Sequence, residues 1–171
     1  MPIIVREATS ADALGVATVH VLSWRAAYRG IIPDDYLDNL NIAQRAKRFA
    51  RDFVEYKGIT YYYVAENDGA IIGNLAIGIC RDEDKPQTGE VIGIYLLQEY
   101  WGFGYGKNLM DFAIEKLNEL GYQNICLWVL EENVRAKQFY EKYGFTPDGA
   151  KKEIFKEKPL VVVRYVLSTT K

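Results

Sequence analysis

The sequence predicts an α+β domain, a mixed sheet with helices packed on it, and three observations carry that prediction. Strand-like runs at residues 61–65 and 70–80 flank Asn67-Asp68-Gly69, the signature of a tight hairpin turn. Downstream the pattern changes, and strand-like runs alternate with helical ones. The apolar run 91–97 is followed by a stripe of Leu109, Ala113, Leu117 and Leu120, and the run 124–130 by a helical stretch from Asn133 to Gly144. A Val-rich run at 160–167 closes the pattern. A hairpin series followed by strand–helix alternation is the order expected of a mixed sheet.

In chain order, residues 3–7 read as a first strand. Ser10 is positioned to cap a helix whose apolar stripe is Leu14, Ala17, Val21, Trp24 and Tyr28. Pro33 opens a short helical turn that runs to Leu40. Residues 44–56 form a basic amphipathic helix, with Ala46, Phe49 and Phe53 inward and Arg45, Lys47, Arg48 and Arg51 on a solvated face. The stacked tyrosines 61–63 fit strand propensity. A charged loop occupies 81–89, and Gln98-Glu99-Tyr100 forms an elbow after the central strand. Gly121 ends the long helix. Asn133 is a natural N-cap and Gly144 a natural C′ stop, with Pro147 just beyond.

The 171 residues suit one domain over 1–171, enough to bury about 70% of the unfolded surface. Lys and Arg number 21 against 23 Asp and Glu, which argues against a general nucleic-acid-binding surface. No apolar run approaches the ~20 residues that span a bilayer. The start, Met1-Pro2-Ile3, lacks the basic and apolar regions of a signal peptide, so the expected location is cytoplasmic. Cys80 and Cys126, each inside an apolar run, read as free core thiols of a reducing compartment. No His/Cys/Asp cluster has metal-ligand spacing, and no metal is expected. His20, the single histidine, reads as a surface or structural residue rather than a base.

The stretch around which the chain is organised is the strand 91–97, the elbow, and then Gly102, Gly104 and Gly106 opening a helix. Glycines let backbone approach a ligand closely, and the first N–H groups of a helix have no partner inside it. With the helix dipole these make an anion site suited to a phosphate or pyrophosphate. The common nucleotide fingerprints do not fit. A P-loop requires glycine where Trp101 stands and Ser or Thr where Asn108 stands. The dinucleotide pattern requires glycine at Lys107 or, counted from Gly104, at Leu109.

What remains, W-G-F-G-Y-G between strand and helix, resembles the GNAT superfamily of acyl-CoA-dependent N-acyltransferases, whose loop reads Q/R-x-x-G-x-G/A. Trp101 departs from that pattern at its first position, while Gly104 and Gly106 match. The segment from Asn133 to Phe145 resembles the family's other hallmark, N-x-x-A-x-x-F-Y-x-x-x-G-F, at nearly every position. The resemblance runs from Ile3 to about Val166 and is weakest before Tyr61.

The resemblance implies a mostly antiparallel sheet of about seven strands and direct transfer of acetyl from acetyl-CoA to a primary amine, with release of CoA. It implies that Trp101, Gly102, Phe103, Gly104, Tyr105, Gly106 and Lys107 cradle the coenzyme pyrophosphate. Asn133 would touch the pantetheine arm, the Leu96 N–H would donate to the oxyanion, and Tyr140 would lie near the coenzyme sulfur as general acid. Lys107 and Arg135 are candidates to meet phosphates. Trp24 and Tyr28 would line the acceptor pocket if they are not simply core. Glu90, at one end of the strand face Glu90, Ile92, Ile94, Leu96, is the candidate general base beside the acceptor; it also reads as a solvated strand-end carboxylate. The expected acceptor is a small-molecule amine, with a protein N-terminus or lysine as the alternative. A non-catalytic acyl-CoA-binding module is a third reading, and the terminal Val-rich strand makes a homodimer plausible.

Overall fold

The computed structural model describes residues 2–170; Met1 and Lys171, the two ends of the expected domain, lie outside them. The strands are β1 (Ile4–Glu7), β2 (Thr60–Asn67), β3 (Ala70–Ile79), β4 (Thr88–Leu96), β5 (Asn124–Leu130), β6 (Thr146–Phe155) and β7 (Pro159–Ser168). They form one sheet in the order β1-β2-β3-β4-β5-β7-β6. Each described pairing is antiparallel except β4 with β5. This is the mixed, mostly antiparallel sheet that the resemblance implies.

The helices are α1 (Ala13–Tyr28), α2 (Asp34–Asp38), α3 (Ile42–Glu55), α4 (Tyr105–Glu119) and α5 (Val134–Tyr143). They cover both faces of the sheet. Leu109, Met110, Ala113 and Leu117 of α4 bury against Leu75, Ile77, Val91, Ile125 and Val163. Val21 of α1, with Ile32, Leu37 and Leu40 after it, buries against Leu130, Leu160 and Val162. Neighbouring residues of β7, Val162 and Val163, enter different clusters, so the two clusters lie on opposite faces. Among the described residues no helix is long and apolar enough to cross a membrane.

Three local readings change. Ser10 is not the cap of α1: Ser10–Asp12 is a 3-10 turn, and Asp12 Oδ2 accepts from the Thr9 backbone N–H at 2.7 Å. The basic helix begins two residues earlier, because Asn41 caps it by accepting from the Gln44 N–H. The third change is β6, a strand that the residue pattern does not announce. It is an exposed edge strand containing Pro147, Asp148 and Gly149, and its pairing with β7 skips from Pro147 to Lys151. Proline is tolerated there because one edge of an outer strand needs no donor.

Beneath this edge lies a charge network. Arg164, 4% exposed, binds Asp82, Asp84 and Asp148, and Lys152 joins it at Asp82. The charged loop 81–89 is thus tied to the β6–β7 hairpin.

Candidate functional site

The site begins as a gap between two strands. β4 and β5 pair in parallel only at Thr88↔Asn124, Gly89↔Ile125 and Glu90↔Cys126, while β4 stays paired with β3 as far as Leu96. Beyond Glu90 the β5-facing edge of β4 has lost its neighbour. The Leu97 N–H donates to Ile72 O at 2.9 Å, toward β3. Alternation then turns the N–H and C=O of Leu96 into the gap. Trp101 Nε1 donates to Leu96 O at 2.8 Å, which satisfies the carbonyl and leaves the N–H facing the gap. That bond gives the departure at Trp101 a physical role.

The chain then turns through Gly102 and Gly104, whose φ angles are +85° and +84°. A Cβ at either would meet nothing within 4 Å, so the left-handed backbone, not lack of room, calls for glycine. α4 starts immediately after. Its first-turn N–H groups, those of Gly106 and Lys107 among them, have no acceptor within the helix and face outward at the positive end of the dipole. The Arg135 guanidinium lies 3.6 Å from the centroid of the Trp101 ring, which brings a cation to the same rim. Lys107 is paired with Asp111 at 2.8 Å.

Across the gap, Asn133 caps α5 through a bond from the Ala136 N–H, and Gly144 ends it at φ +120°. Tyr140, one turn before that end, packs edge-on to Phe139 and Phe145. Burial, and then the neighbouring Tyr95, raises the Tyr140 phenol above its ordinary pKa, so it keeps its proton at neutral pH. Burial raises Tyr95 and Tyr28 in the same way. Tyr95 belongs to an aromatic group with His20 and Trp24, ring centroids 5.3 Å and 4.8 Å from His20 respectively for Tyr95 and Trp24. His20 is 9% exposed, so it is not a surface residue. Its Nε2 has no partner, and desolvation, followed by the charges of Arg45, Arg48 and Lys156, lowers its pKa to about 3. It is a neutral core imidazole at physiological pH.

These groups converge on one cavity of about 640 Å³. Of the residues singled out in the sequence, its walls include Leu96, Trp101, Gly102, Gly104, Gly106, Lys107, Asn133 and Tyr140, and at the other end Trp24 and Tyr28. Phe103 and Tyr105 belong to the loop but not to this lining; Phe103 is 69% exposed and its ring stacks on Tyr105, centroids 6.1 Å apart.

Glu90 is also outside the lining. It is 1% exposed and therefore not a solvated strand end; Arg81 Nη2 donates to it at 2.6 Å and the Arg81 backbone N–H at 3.3 Å. The expected face Glu90, Ile92, Ile94, Leu96 does not form, because the register slips at Ile92: Ala76 pairs with Gly93 but Ile77 with Val91. This bulge puts Val91, Ile94 and Leu96 toward the α4 core and turns Glu90 the other way. Glu90 thus sits with the buried Cys80 and Cys126, whose sulfurs are 3.0 Å apart and whose pKa values are raised by burial.

The sequence reading missed Tyr95, Trp128 and Lys156, which the lining includes. Tyr95 carried a weak signal, being the single ring in the apolar run of β4. A Cβ at Gly93 would lie 2.8 Å from Tyr95 Cε2, so Gly93 makes room for that ring to cover the strand. Lys156 carried none, because its position depends on the unannounced β6. A smaller cavity of about 380 Å³ lies behind Tyr95, among α1, α3 and the sheet, and is lined by His20, Arg45 and Arg81 among others. It lacks the glycine turn and α5, so the larger cavity is the candidate site.

Residues 19–145 match the sequence profile of the acetyltransferase (GNAT) family. The chain is 36% identical over 141 residues to YuaI, an uncharacterized N-acetyltransferase of Bacillus subtilis (strain 168), covering 82% of this chain and 78% of that one. The PaiA N-acetyltransferase of Thermoplasma acidophilum, solved in complex with coenzyme A, superposes with a TM-score of 0.79 at 21% identity, covering 98% of this chain and 99% of the other. YncA of Salmonella typhimurium, a putative acetyltransferase solved with acetyl-CoA, gives 0.71 at 17% identity, covering 100% and 96%.

Proposed function

The chain belongs to the acetyltransferase (GNAT) family, and we propose that it is an N-acetyltransferase that passes the acetyl group of acetyl-CoA directly to a primary amine of a small molecule, releasing CoA. The observation that carries this reading is the unpaired edge of β4 running straight into the Gly102–Gly104 turn, with the Tyr140 phenol among the walls of the same cavity. A pyrophosphate suits the turn because left-handed glycines and the first N–H groups of α4 face it, with the Arg135 cation on its rim. The pantetheine arm suits the gap, where the backbone of β4 offers donors that no strand uses and Asn133 stands at the start of α5.

In this scheme the neutral amine attacks the thioester carbonyl carbon. The Leu96 N–H donates to the oxygen as it becomes an anion. As the C–S bond breaks, Tyr140 gives its proton to the departing thiolate, and the amine nitrogen loses its extra proton to solvent. A phenol held in its protonated form suits the acid role. Glu90 has no step here, since its carboxylate is turned to Arg81. Trp24, Tyr28 and Trp128 wall the acceptor end, which suits a compact body better than a side chain on a folded protein.

The test is acetyl-CoA binding by calorimetry and CoA thiol release with a panel of amines. Tyr140→Phe is expected to lower kcat by about a hundredfold with acetyl-CoA affinity little changed. Equal turnover in the two proteins would remove Tyr140 from its role; no acetyl-CoA binding by the parent would remove the whole reading.

A further inference from the structure

The cavity lining carries ionisable charge of one sign. The lining includes four cationic residues, Lys107, Arg135, Lys142 and Lys156, and no aspartate or glutamate. Lys107 has Asp111 as a partner, and Arg135 stacks on Trp101, both beside the glycine turn. Lys156 is set apart by its place, since Arg135 too stacks on a tryptophan without an ion pair. It lies at the other end, just after β6, and is half-buried with its ammonium 6.0 Å from the Trp24 ring centroid and 5.6 Å from that of Tyr36. It makes no ion pair with any described residue.

A half-buried ammonium is costly to leave without an anion, and Arg164, a cation farther along the same hairpin, has three carboxylates. The contrast marks Lys156 as a cation whose partner comes from outside the chain.

Taking the cavity as the coenzyme and acceptor site proposed above, we infer that the acceptor is a monoamine that also carries a carboxylate or comparable anionic group, seated on Lys156 with its body against Trp24, Tyr28 and Trp128. Amino acids and their close analogues have this chemistry, and polyamines have the opposite one. A second ammonium would find no carboxylate in the lining, and the Trp24 and Trp128 faces already carry Lys156, Lys152 and Arg164. The same positive field disfavours the ammonium form of the reacting nitrogen and so favours the neutral amine that attacks, in a cavity whose walls offer no carboxylate base.

The experiment measures CoA release by the full chain with a set of L-amino acids, the same amino acids as C-terminal amides, and spermidine. Acetyl-CoA affinity is measured in parallel by calorimetry. The free acids are expected to exceed their amides by about tenfold or more in kcat/KM, the scale of one charge-assisted contact, with spermidine at background. Lys156→Met is expected to abolish that preference through KM while acetyl-CoA affinity holds. Spermidine or the amides matching the free acids, no free acid being acetylated, or a preference that survives Lys156→Met would each overturn the inference while the transferase reading stands. Failure to bind acetyl-CoA would instead remove the reading on which the inference rests.

Discussion

The two ends of the β4–β5 seam are made from the same pair of strands and have opposite chemistry. At the closed end the strands pair, and Glu90 is buried under Arg81 next to two protonated thiols. A few residues along, the strands part, and the Leu96 N–H and the start of α4 face a cavity. The closed end holds the most deeply buried carboxylate of the molecule, yet its oxygens are engaged within the fold. The cavity lining at the open end includes no carboxylate, and the Leu96 N–H and the first N–H groups of α4 face it. The binding proposed for this protein draws on what the fold leaves unpaired, and burial of an ionisable group is a separate property.

The sharpest way to break this contrast is Gly104→Val. A branched residue at φ +84° costs about 2 kcal/mol. The loop escapes that cost by leaving its binding conformation, so acetyl-CoA affinity is expected to fall roughly thirtyfold by calorimetry. Unchanged affinity would mean the turn is not the cradle.

The closed side is expected to answer in stability instead. Burial alone would raise the pKa of Asp82, but bonds from Lys152, Arg164 and Trp128 outweigh it and hold the carboxyl at about 2, below the ordinary 3.8. A depressed folded-state pKa means that this stabilisation is complete above the unfolded value and is lost as pH falls from about 4 toward 2. By linkage it amounts to about 2 kcal/mol. Asp82→Asn is expected to flatten the acid limb of a denaturation series over that window while leaving turnover at neutral pH intact; an unaltered acid limb would deny the network its role.

Trp101→Phe removes the bond to Leu96 O, worth about 1 kcal/mol, and acetyl-CoA affinity is expected to drop by about fivefold with little change in melting temperature. Glu90→Gln is expected to lower the melting temperature but to move kcat by less than about tenfold. Loss of a general base would cost about 10²–10⁴-fold, and an effect of that size would merge the two ends into one site.

The comparison also explains what could be read from the sequence. The open end was legible because its devices are local: a glycine with left-handed φ, an N-cap at Asn133 and a C′ glycine at Gly144 each leave their mark at one position. The bulge at Ile92 was not, since one extra residue in an apolar run changes the facing of Glu90 without changing the composition. β6 was hidden because an edge strand exposed to water needs no apolar alternation, and its central residues, Ala150 to Glu153, are mostly charged. With β6 unseen, Lys156 could not be placed near Trp24. The sequence left His20 open between a surface and a structural place because its burial comes from Phe49 and Tyr95, rings far from it in the chain.

Among the described residues three backbone pairs join β4 to β5, so the hydrogen bonding of the sheet divides into two panels, β1-β2-β3-β4 and β5-β7-β6, that meet at one corner and are otherwise joined by the α4 core. A ligand lying along the free edges then acts as a removable strand, bridging panels that the backbone itself leaves apart. Saturation at 100 times the dissociation constant adds about 2.7 kcal/mol to the folded state. The gain is expected to concentrate at that corner, as slowed amide exchange along both lips of the seam, so that the rigidity of the molecule is itself set by the supply of its cosubstrate.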